Sequence, residues 1–119
     1  MGYGQMLRDI RTQKEITLRE LALRSDIDVA YLSRVERESV LPPQKEELID
    51  AINEALEIDV KSAKALKDQA SLDNQMLPND IAVKLKAMEG VPMLLRTVAN
   101  KKLDGNQIKK LTDFINERY

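Results

Sequence analysis

The chain has 119 residues, 19 Lys and Arg against 20 Asp and Glu, a net charge of −1, and neither cysteine nor histidine. That length suits one ordinary domain or two very small ones. The missing residue types exclude disulfides, thiolate and imidazole metal sites and every Cys- or His-based nucleophile system. No catalytic residue, metal or cofactor is therefore expected.

Aromatic content is only 3%, helix formers dominate and β-branched alternation is nearly absent, so the expected fold is all-α with an aliphatic core. No apolar run approaches the ~20 residues of a membrane span, and no signal peptide precedes the first helical pattern. A non-enzymatic, cytoplasmic protein is the expectation.

The first helix is expected over residues 4–14, with Met6, Leu7 and Ile10 inward. Thr17 and Glu20 have the spacing of a capping box and open a second helix over 18–24. Leu21 and Ala22 face inward on it, and Ala22 is small enough for a neighbour to cross closely. Ser25, Asp26 and Ile27 must turn sharply, which calls for a positive φ at one of them. Asp28 then caps a third helix over 29–37, accepting from the amide of Ala30 or Tyr31. Ile27 plugs the corner, while Leu32 and Val35 bury the inner face. Two short helices across a tight turn make a helix-turn-helix unit, whose second helix is free to enter a DNA major groove.

Pro42 and Pro43 cannot continue the preceding helix. A fourth helix follows over 44–56 with Leu48, Ile49, Ile52 and Leu56 inward, and a fifth over 60–70, capped by Asp59, with Val60, Ala63 and Leu66 inward. Residues 71–78 read as a polar linker ended by Pro78. Three further amphipathic segments complete the chain. The first is capped by Asn79, carries Ile81, Leu85 and Met88, and ends at Gly90. The second has Pro92 in its first turn and a stripe of Val91, Leu94, Leu95 and Val98. The third is capped by Asp104 and carries Ile108, Leu111, Phe114 and Ile115. The expected layout is a five-helix domain over 1–70, a linker over 71–78 and a helical dimerisation segment over 79–119. About 40 residues in three helices make a marginal core. Their stripes are expected to pair two copies, with Leu95, Val98, Leu111, Phe114 and Ile115 at a homodimer seam.

Residues 1–70 carry 11 Lys and Arg against 14 Asp and Glu, and the remainder 8 against 6. A DNA-facing surface must therefore be assembled locally. Arg8, Arg11, Arg19, Arg24, Arg34 and Arg37 are the cations expected to gather there. Glu46, Glu47, Asp50, Glu54, Glu57 and Asp59 are expected to face away.

The stretch from Thr17 to Glu36 resembles the Xre/Cro-type phage-repressor family, and the five-helix order extends the resemblance over roughly residues 3–68. The resemblance implies base contacts from Val29, Ala30, Tyr31 and Arg34, and phosphate contacts from Thr17, Arg19 and Arg37. A guanidinium at Arg34 suits guanine O6 and N7, and Val29 and Ala30 suit thymine methyl groups. Two bland alternatives stand beside these roles: Tyr31 packs on neighbouring stems, and Arg34 pairs with Glu38 at i+4. The chain departs from the family pattern at Asp26, where Gly is usual, at Leu18, where Gln is frequent, and at Glu38-Ser39-Val40, where Gly and basic residues are common.

The function implied is a sequence-specific transcriptional repressor, a homodimer on double-stranded DNA with two half-sites, of a type frequent in phages and mobile elements. Two alternatives share the fold. One is an antitoxin-type regulator that binds a partner and represses its own operon; the other is a protein-interaction module. A toxin or an antirepressor would be the protein partner.

Overall fold

Eight helices follow one another in the computed structural model, which describes residues 2–119. They are α1 (Tyr3–Gln13), α2 (Leu18–Ser25), α3 (Val29–Glu36), α4 (Glu46–Leu56), α5 (Val60–Asp73), α6 (Asn79–Lys86), α7 (Val91–Lys101) and α8 (Gly105–Arg118). No strand occurs among the described residues. The chain divides into two units, the first ending at Asn79 and the second spanning Asp80–Tyr119.

In the first unit α1 packs on α3 and α5, α2 on α3 and α4, and α4 on α5. Tyr3, Leu7, Leu21, Leu32, Val35, Ile52, Leu56 and Leu66 are fully buried between them. A fully buried Leu or Ile contributes roughly 1.5–3 kcal/mol of transfer free energy, so this cluster dominates the unit's stability. Gly4 lets α1 approach α3: a Cβ there would run into the Val35 carbonyl oxygen.

One inward assignment changes. Val60 is 85% exposed. The buried face of α5 is set by Leu66 and Ala70, and Val60, six residues before Leu66, lies about 120° around the helix from it. Tyr3, Ile16, Ala55 and Ala70 join the core instead.

The fifth helix also runs on to Asp73, so the first three residues of the expected linker are helical. Tertiary partners hold this extension in place. The Tyr3 amide donates to Asp73 Oδ2 at 2.7 Å, and Asn74 Nδ2 donates to the carbonyls of Pro42 and Pro43 at 3.2 and 3.4 Å.

All five helices of this unit are followed by a non-glycine residue with positive φ: Glu15, Asp26, Glu38, Glu57 and Gln75. Each costs roughly 1–2 kcal/mol relative to glycine. Asp26 is the one anticipated from the turn chemistry.

The second unit is built from equally regular helices. Gly90, at φ 83°, caps α7, with Pro92 in the first turn. Asp104 Oδ1 accepts from the Gln107 amide at 2.8 Å and Gln107 Oε1 from the Asp104 amide at 2.9 Å. Val91 is the only buried side chain among residues 80–119. Among the described residues no helix is long and apolar enough to cross a membrane.

Candidate nucleic-acid interface

The α2–α3 corner is held by local hydrogen bonds. Thr17 Oγ1 accepts from the Glu20 amide at 3.1 Å, but the expected capping box is only half formed. The Glu20 carboxylate meets Arg24 at 3.4 Å instead of returning to the backbone of Thr17. A cation one turn away competes with the return bond at this exposed site, whereas Gln107 of α8 carries no charge to be drawn off. Buried Ser25 donates to the Leu21 carbonyl at 2.7 Å. Asp26 then takes the left-handed conformation, φ 58° and ψ 36°. Asp28 accepts from the Tyr31 amide at 3.0 Å, so the third helix starts as its sequence predicts.

The third helix has two clear faces. Leu32, Val35 and Glu36 are buried, while Val29, Ala30, Arg34 and Arg37 are exposed. Arg34 makes no ion pair among the described residues. Its proposed partner, Glu38, instead accepts from the Gln5 amide at 3.4 Å. Arg37 Nε donates to the Ser33 carbonyl at 3.3 Å. Tyr31 is half-buried and packed against the core, which is the packing alternative anticipated for it. Tyr3 lies beneath: burial first, and then the nearness of Tyr31 and Glu36, push its phenol pKa up.

Of the six arginines expected on the DNA-facing surface, two are engaged elsewhere. Arg11 pairs bidentately with Glu36, Nε to Oε2 at 2.7 Å and Nη2 to Oε1 at 2.9 Å, while Nη1 reaches the Ile16 carbonyl at 2.9 Å. The two side chains are 13% and 5% exposed. The hydrogen bond to Glu36 raises the Arg11 pKa against the opposing effect of burial. A carboxylate so deeply buried is tolerable only when both oxygens are satisfied, and here the pair also ties α1 to the end of α3.

Glu36 lies one turn after Leu32 on the inward face, a signal that it needs a buried cation. Nothing in the sequence says which one. Arg24 is drawn to α4, donating to the Ala55 carbonyl at 3.2 Å. Arg8, Arg19, Arg34 and Arg37 remain exposed. Between α5 and α4, Lys67 joins Glu46 at 2.8 Å and Asp50 at 3.1 Å, and these bonds raise its pKa. Among the described residues no group of acidic side chains is arranged to hold a metal ion.

Two short helices crossing at a left-handed turn, the second of them capped and exposed on its outer face, define a helix-turn-helix unit. The model of the helix-turn-helix family matches residues 7–60, and this segment is similar to it. No curated protein matches the chain. The chain is similar to a solved structure of a SinR protein/SinI protein complex, 20% identical over 97% of this chain and 95% of that one, with a TM-score of 0.48.

Proposed function

We propose that the chain is a sequence-specific transcriptional repressor that binds an operator of two half-sites as a homodimer. The observation that carries this reading is Arg34, exposed and without an ion pair on the outer face of α3. A guanidinium with no intramolecular partner is available to hold guanine O6 and N7 together. Val29 and Ala30 flank it, and Tyr31 adds the part of its ring that the core leaves open. Thr17, Arg19 and Arg37 take phosphates. Thr17 stands at the start of α2, where amides and the helix dipole favour anions, and Arg37 follows α3. Leu95, Val98, Leu111, Phe114 and Ile115 form the seam between two copies, setting the recognition helices about 34 Å apart.

Affinity for duplex DNA measured across salt concentrations tests the proposal. With three or four phosphates neutralised per protomer, log K is expected to fall against log salt with a slope of about −5 to −7. The carboxylates of Asp26, Asp28 and Glu38, at the two ends of α3, favour a second reading as a protein-interaction module. Absence of DNA binding at low salt would put that reading first.

A further inference from the structure

Resting on the DNA-binding reading above, we infer that each half-site is read through a pyrimidine C5-methyl group packed on Val29 and Ala30, beside the guanine held by Arg34. The first turn of α3 offers little else. Val29 is 39% exposed and Ala30 is exposed. The neighbouring carboxylate, Asp28, is held as the helix cap by the Tyr31 amide. The depression beside Val29 is lined by Ala22, Leu23, which is 83% exposed, and Ile27, with Arg19, Asp26 and Asp28 as its charged members. Apolar side chains of α2 and of the turn thus lie next to Val29, between those charged groups. The helix from Val29 to Glu36 contains no Asn or Gln, so adenine N6 and N7 have no bidentate partner.

Among base-edge groups in the major groove, the C5-methyl of thymine is the apolar one, and 5-methylcytosine presents the same group at the same place. Ala30 and Arg34 are one turn apart, about 6 Å along the helix. That is under two base-pair steps of about 3.4 Å. The methylated pyrimidine and the guanine are thus expected within about two base pairs of each other.

The test starts with the full chain selecting from a random duplex library at low salt. The selected duplex is then resynthesised with deoxyuridine for thymidine, and with cytosine or 5-methylcytosine at the same position. Thymine is expected near the selected guanine in each half-site. Loss of one methyl contact is expected to weaken binding about fourfold, and loss of both about 15-fold. The duplex with 5-methylcytosine is expected to bind more tightly than the one with cytosine.

Val29→Ser should reduce the difference between thymidine and deoxyuridine duplexes, since Ala30 alone then meets the methyl group, and leave the salt slope unchanged. The base substitutions leave the protein untouched, so the outcome does not depend on how that variant folds. Equal affinity for thymidine and deoxyuridine duplexes, or a selected site without thymine near the guanine, would overturn the inference while leaving DNA binding intact. Failure to select any duplex would overturn the DNA-binding reading, and this inference with it.

Discussion

Leu7, Leu21, Leu32, Ile52, Leu56 and Leu66 of the first unit are fully buried, whereas Leu95, Phe114 and Ile115 of the second are 43%, 50% and 46% exposed. The apolar residues in both units recur at helical spacing, and helices in both carry side-chain caps. The difference lies in enclosure. Five helices surround a common interior, with α1 against α3 and α5 and α2 against α3 and α4. Three short helices present apolar stripes with too few neighbours to cover them. Spacing says which residues share a face; burial depends on how many other faces are available to meet it. It is this uncovered face that the proposed pairing of two copies would bury.

The largest expected effect falls on the enclosed unit. Glu36→Ala strands Arg11 in a nearly buried site, and urea unfolding of the first unit should show a loss of about 3–5 kcal/mol. Arg11→Met combined with Glu36→Leu should recover most of it, because an apolar pair leaves no charge unpartnered. If Glu36→Ala proves neutral, the first unit is less closed to water than its burial implies.

The comparison is tested from the other side by Phe114→Glu, which places a charge in the exposed stripe. Sedimentation is expected to show monomers, with helicity retained and operator affinity reduced at least about a hundredfold, since each half-site then binds alone. A variant that still dimerises would move the interface off the C-terminal helices.

Arg34→Ala should leave stability unchanged and weaken the selected site by about 1–3 kcal/mol, with relaxed discrimination at one base pair per half-site. Arg19→Ala and Arg37→Ala should lower affinity for selected and random DNA alike, and competition binding separates the two patterns. The smallest effect is a gain. Glu57→Gly relieves a left-handed residue and should raise thermal stability by about 1 kcal/mol. Glu38→Gly should gain less, because it also removes the carboxylate that accepts from the Gln5 amide.

The helices of the first unit, the positive φ at Asp26 and the cap at Asp28 were legible from sequence because each depends on residues within about one turn of each other. The outer-face placement of Val29, Ala30 and Arg34 was what the family resemblance implied, and all three are exposed. What competes for a side chain once the helices meet was not legible. Glu20 turned to Arg24 and away from the cap. Glu38 left Arg34 for the amide of Gln5, a residue of α1.

Sequence by itself determined the all-helical character, the helix-turn-helix corner and the two-sided third helix, since propensity, capping and spacing act over a few residues. Tertiary structure alone decided the pairing of Arg11 with Glu36, 25 positions apart, and the bond from the Tyr3 amide to Asp73, 70 positions apart. It also decided that Val60 faces solvent and that α5 extends into the expected linker. Which cation meets a buried carboxylate, and where a helix can stop, depend on what lies across the core, and sequence distance carries no record of that.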